Sequence, residues 1–126
     1  MQDFRKLRVW EAAQQLAAEV NQVASQLRDV GGLRAQLRRS SESIASNIAE
    51  GARRQSPADF AHFLQTAIAS ASECESQLDL LRRLRKAQEP TIAKLLEDVV
   101  RLRRQIIALR KRVLAPIQTQ PRNPEP

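Results

Sequence analysis

Few residues in this chain are equipped for bond-making chemistry. The 126 residues include one histidine, His62, and one cysteine, Cys74. A dinuclear metal centre in a helical bundle needs several carboxylates and two Glu-x-x-His pairs. The nearest approach is Asp59-Phe60-Ala61-His62, and one such turn cannot close a site. No metal is expected, and His62 reads as a surface or half-buried side chain. Cys74 falls on an inward helical line, where cysteine acts as a small apolar filler. A catalytic thiol would need a base and an orienting partner, and none can be assigned. A lone cysteine cannot make an internal disulfide, which fits a reducing cytoplasm. The 3 glycines form no phosphate-binding loop. No catalytic residue, cofactor or enzymatic activity is expected.

Two sets of polar residues are more informative. Ser43, Asn47 and Glu50 are spaced by four and three residues, so they share one face of a helix. Glu73 falls on the next helix along. Asn47 and Glu50 are expected to be buried and hydrogen-bonded between helices, with Arg38, Arg39 or Arg54 as counter-charge. An unpaired buried carboxylate would cost too much. The alternative is that the same residues line a ligand cleft.

The second set is cationic. The formal charge is +7 and most of the basic groups are arginine. It is unevenly spread: residues 1–30 are neutral, 31–57 carry +3, 58–81 carry −4 and 82–126 carry +8. A basic surface implies an anionic partner such as nucleic acid, an acidic protein or a membrane surface. Lys94, Arg101, Arg103, Arg104, Arg110, Lys111 and Arg112 avoid the apolar lines of their helix and form one basic sector, and all of these but Arg112 are candidates for binding nucleic acid. Arg38, Arg39, Arg53, Arg54, Arg82 and Arg83 complete the candidate nucleic-acid-binding set. Arg82 and Arg83, with Arg85 and Lys86, also suit the negative end of a helix dipole. Aromatic residues are only 3% of the chain, which argues against base stacking. Binding through phosphates alone would carry little sequence preference.

These residues sit on helices. With 6 prolines, 3 glycines and no tyrosine, the chain lacks the turn residues and strand formers of a β-fold. No apolar run is long enough to span a membrane. The opening Met1-Gln2-Asp3-Phe4-Arg5-Lys6 leads into an amphipathic pattern, and no signal peptide is expected. The length fits one domain. Helix 1 is predicted over about 3–30, with Asp3 as N-cap and Val9, Ala13, Leu16, Val20, Val23, Leu27 and Val30 inward. Gly31-Gly32 should end it. Helix 2 is predicted over 33–50, with Leu37, Ser41, Ile44 and Ile48 inward and Gly51 as the stop. Ser56-Pro57-Ala58-Asp59 is a helix start, with Ser56 as N-cap and Pro57 in the first turn. Helix 3 should run over 57–86 and helix 4 over 90–114. Helix 4 carries one strict apolar heptad line from Ile92 to Val113. A second line, Ala93, Val100, Ile107 and Leu114, either widens that single face or is buried against another subunit; the second reading is the expectation, so Val100, Ile107 and Leu114 are predicted at an oligomer interface. Residues 116–126 read as a disordered proline-rich tail. The predicted fold is all-α: an antiparallel up-down-up-down four-helix bundle over 1–115, assembled as a homo-oligomer.

The stretch from Leu37 to Gly51 carries a resemblance. Its Ser43-Ile44, followed by Asn47-Ile48-Ala49-Glu50-Gly51, is similar to the signature of the 23S ribosomal RNA intervening-sequence proteins. The likeness continues through Arg54, Ser56, Phe60, Phe63-Leu64, Ser70, Glu73 and Gln77-Leu78. Upstream, Phe4, Leu7, Val9-Trp10, Leu33 and Gln36 fit as well. It departs at Ala69, where glycine is usual, and over Ser25–Gly32, which lacks the usual Phe-Pro. The resemblance implies a cytoplasmic bacterial bundle assembled as a homopentamer. It extends to the accessory proteins of diversity-generating retroelements, basic pentamers that bind nucleic acid and a reverse transcriptase. RNA or DNA is therefore the first expected partner. An acidic protein, such as a reverse transcriptase or a ribosome-associated factor, is the alternative.

Overall fold

The structure, a computed structural model, describes residues 3–28, 31–84 and 89–118. These form a short 3-10 turn, η1 (Phe4–Lys6), and four α-helices: α1 (Arg8–Ser25), α2 (Leu33–Ala52), α3 (Pro57–Leu84) and α4 (Glu89–Gln118). Among the described residues there is no β-strand. The four helices surround one core, in which α2, α3 and α4 present a buried residue at nearly every turn. Leu37, Ile44 and Ile48 of α2 meet Leu64 and Leu78 of α3 and Ile92, Leu95 and Ile106 of α4 there. The residues of helix 4's strict heptad line are buried as far as Leu109.

The first helix is shorter than 3–30. Asp3 caps η1 instead of a long helix, its Oδ1 accepting the Arg5 amide at 3.1 Å. Leu7 is extended, and α1 starts only at Arg8. The break lets Phe4 fold back edge-on against Trp10, with ring centroids 5.1 Å apart. That aromatic contact outweighs one more turn of helix propensity, which is a weak preference. At the other end α1 stops at Ser25, with Gln26 as C-cap. Gly31 and Gly32 therefore do not cap it. Both have positive φ, 58° and 78°, and Gly32 is the N-cap of α2. Val30, expected on the inward stripe, lies outside the described residues.

Gly51 does not end α2, which continues to Ala52. Its role is close approach. A Cβ at this position would stand 2.7 Å from Phe63 Cβ and 2.9 Å from Phe60 Cδ1, so α3 can cross here only because there is none. Ser56 caps α3, its Oγ accepting the Asp59 amide at 3.0 Å. The expected end of helix 3, at Arg85 and Lys86, lies outside the described residues. Helix 4 runs past 114: Pro116 lies inside α4, so 116–118 are helical and not part of a tail. Two residues from the end, this proline forfeits a single backbone hydrogen bond. Residues 119–126 are outside the described part.

Candidate functional site

The signature residues of α2 sit on a seam with α3. Asn47 Nδ2 donates to the Ser43 carbonyl at 2.8 Å and to Ser43 Oγ at 2.9 Å. Ser43 Oγ in turn shares a 2.9 Å hydrogen bond with Ser70 Oγ across the helix interface. One turn earlier, Ser40 Oγ donates to Gln77 Oε1 at 2.6 Å. Ser40, Ser41 and Ser70 are buried polar side chains. Small hydroxyls let the helices approach, and each has a hydrogen-bond partner, so their burial is not penalised. Gln36, Arg39 and Glu73 line the outer side of the same shallow groove.

This arrangement differs from the one expected. Asn47 is only half-buried, and its bonds stay within α2. Glu50 is exposed and pairs with Arg54 at 2.9 Å, one turn on. Glu73 is exposed too. The interhelical bonds are made by Ser43 and Ser70 instead. A carboxylate can reach water from the edge of a helix interface, and there it avoids the desolvation cost that burial would impose. Arg54, one of three candidates, is the counter-charge.

Many of the cationic side chains have partners inside the molecule. Arg103 pairs with Glu75 of α3, with only 24% of its side chain exposed. Arg110 Nε donates to the Ala61 carbonyl at 3.1 Å. Arg38 Nε donates to Asn21 Oδ1 at 2.8 Å. Lys94 bridges Glu19 at 3.1 Å and Asp98 at 2.9 Å, and both hydrogen bonds, Asp98's the larger effect, raise its pKa. Arg101 reaches Asp98 at 3.4 Å. Arg83 and Arg82 flank Asp79; the Arg83 hydrogen bond is the main reason its carboxyl stays below the usual range. Arg53 lies 5.1 Å over the Phe4 ring, and Arg54 4.7 Å over Phe63. Arg39, Arg104 and Lys111 are exposed and make no ion pair or hydrogen bond among the described residues. Such surface pairs contribute little to stability, so most of the paired cations remain open to an external anion. Arg82, Arg103 and Arg110 are half-buried against their partners and are the exceptions.

An open groove of about 720 Å³ runs between α3 and α4. Leu96 and Val100 line it with Ser72 and Ser76, and the charges along it are mixed: Glu75, Asp79 and Glu97 beside Arg82, Arg101 and Arg104. Of the second apolar line, Val100 and Leu114 are half-buried and Ile107 is 36% exposed. Leu80 and Leu84, 47% and 49% exposed on α3, were not singled out from sequence. Their four-residue spacing on the polar side of α3 was the available signal.

Cys74 is fully buried, and burial raises its thiol pKa to about 11, against a smaller lowering by the Ser40 hydrogen bond. His62 is exposed. Among the described residues no three His, Cys, Asp or Glu side chains converge as a metal site would require. No helix of the described residues is long and apolar enough to cross a membrane.

These features define a small all-α four-helix bundle with a hydroxyl-bonded α2–α3 seam and a cationic exterior. The chain belongs to the 23S rRNA-intervening sequence protein family, whose pattern matches residues 5–108. It is similar to the crystal structure of a protein of unknown function from the S23 ribosomal protein family of Bacteroides thetaiotaomicron. The two share 25% identity and a TM-score of 0.75, over 82% of this chain and 98% of that one. No curated protein matches the chain.

Proposed function

We propose that this protein is a non-enzymatic, cytoplasmic, antiparallel up-down-up-down bundle that assembles as a homo-oligomer, a pentamer by family resemblance, and binds RNA or DNA. The cross-helix pairs support the antiparallel arrangement. Ser40 meets Gln77 while Ser43 meets Ser70, and Arg103 meets Glu75 while Arg110 meets Ala61. The observation that carries the binding reading is the unspent charge: a net +7, with Arg39, Arg104 and Lys111 exposed and unpaired among the described residues. Arginine's planar donor fork binds phosphate bidentately.

Titration of binding against salt tests this. Each phosphate contact contributes a slope of about −0.9 for duplex DNA, or about −0.7 for a single strand, in log affinity against log salt. Arg39→Gln, Arg104→Gln and Lys111→Gln together should flatten that slope and leave the circular dichroism unchanged. Arg103 is left out of this set because its Glu75 pair ties it to the fold. No binding to RNA or DNA at low salt would overturn the reading. The α3–α4 groove favours a second partner class at that surface. Its apolar Leu96 and Val100 between charges of both signs suit a protein helix better than a phosphate chain. A second copy, or an acidic partner such as a reverse transcriptase or ribosome-associated factor, would fit there.

A further inference from the structure

The chain has only three phenylalanines and one tryptophan. The fold brings all four to one end of the bundle. The 3-10 turn sets Phe4 against Trp10, and the link after α2 passes the same point, where Arg53 and Arg5 lie 5.1 Å and 5.3 Å from the Phe4 ring centroid. Phe60 and Phe63 open α3, with Arg54 over Phe63. The Arg110–Ala61 hydrogen bond brings the last turns of α4 to this end as well. Between that link and α4 lies an open cleft of about 370 Å³. Buried Phe60 and Leu109 and half-buried Val113 give it an apolar floor, and exposed Arg54 and Arg112 stand at its sides.

Cations outnumber carboxylates here. Arg5, Lys6, Arg8, Arg53, Arg54 and Arg112 are exposed. The carboxylates at this end are Asp3, which caps η1, Glu11 in the first turn of α1, Asp59 in the first turn of α3, and Glu50, which pairs with Arg54. An arginine stacked on a ring uses its face and keeps its in-plane N–H groups for a phosphate. The Arg54–Glu50 pair is exposed and weak enough to yield to one.

We propose that this end of the bundle docks single-stranded nucleic acid, with one unstacked base in the cleft against Phe60, Leu109 and Val113. Arg54 and Arg112 take the flanking phosphates, and Arg53 continues the backbone track toward Phe4. This rests on the nucleic-acid reading above and adds a place and a strand form. A base inside a duplex is stacked on its neighbours and cannot enter the cleft.

The test is fluorescence anisotropy on the full-length protein with two labelled probes, a 12-nucleotide oligouridylate and an abasic phosphodiester strand of equal length. Wild type should bind the oligouridylate about tenfold more tightly, the scale of one base stacked on a protein surface. Arg54→Gln with Arg112→Gln should weaken binding of both probes about tenfold, because both carry the phosphates, while Val113→Ser at the cleft floor should reduce the preference for oligouridylate and spare abasic binding, each with an unchanged melting curve. Equal binding of the two probes by wild type, undiminished binding in the arginine double variant, or an unaltered preference in Val113→Ser overturns the proposal and leaves the nucleic-acid reading standing. Absence of binding to oligouridylate, oligothymidylate and duplex DNA alike overturns both.

Discussion

At the scale of single residues, the chemistry of this protein is set by what burial does to polar groups. Cys74 is the clearest case. Its thiol is surrounded by core side chains, and the loss of water keeps it protonated far above neutral pH. It should react with a thiol reagent only as fast as the protein opens, which the rate of colour release from an aromatic disulfide measures. It also links stability to pH. The unfolded thiol ionises near 9.0 and the native one near 11, so between those values the unfolded chain binds fewer protons. Stability should therefore fall as pH rises through that window, by up to about 2–3 kcal/mol. Lys94, whose pKa is raised, loses its ion pairs on the same side of the scale. Urea unfolding of wild type and Cys74→Ala at pH 8 and 10.5 separates the two, because only the cysteine's share disappears in the variant.

At the scale of elements, the α2–α3 contact depends on what is missing from side chains as much as on what is present. Ala in place of Gly normally stabilises a helix interior by about 1 kcal/mol. At Gly51 the added Cβ would press on Phe63 Cβ and on the Phe60 ring and carbonyl. Gly51→Ala is expected to destabilise by about 1–3 kcal/mol, measured by urea unfolding. In sequence this glycine looked like a helix stop. A glycine that ends a helix and one that admits a neighbour are alike in one dimension, and only the distance to the facing helix tells them apart. The break at Leu7 has the same origin, since nothing local to Asp3-Phe4-Arg5 announces that Phe4 will pack on Trp10 and meet Arg53. The start at Ser56-Pro57 was legible because its cap bonds to residues within three positions.

At the scale of the whole molecule, the question is what covers the faces a monomer leaves wet. Ile107 is exposed, Val100 lines an open groove, and Leu80 and Leu84 add apolar surface on α3. Val100→Glu and Ile107→Glu together should give a monomer by sedimentation velocity with helical content retained. Because Val100 also touches the core, Ile107→Glu alone is the control, and an unchanged mass in both would overturn assembly through this face. Five copies at +7 each would carry +35, and a bound polyanion would relieve that repulsion.

The sequence by itself determined the all-α class, the inward stripes and the start of α3. Helical periodicity and capping act over three or four residues, and those distances are written directly in the chain. The signature motif was legible as a motif, and its neighbours across the seam were not. Ser43 and Ser70 are 27 positions apart, and which of Ser43, Asn47 and Glu50 faces inward depends on how α2 is rotated against α3. The same holds for charge. The helix 4 cations avoid the apolar lines of their helix, but whether each is free, as Arg104 is, or held, as Arg103 is by Glu75, is decided by the register of two packed helices. The gathering of four scattered aromatics beside Arg53, Arg54 and Arg112 is likewise a product of tertiary structure, because residues from positions 4 to 112 meet only when the bundle closes.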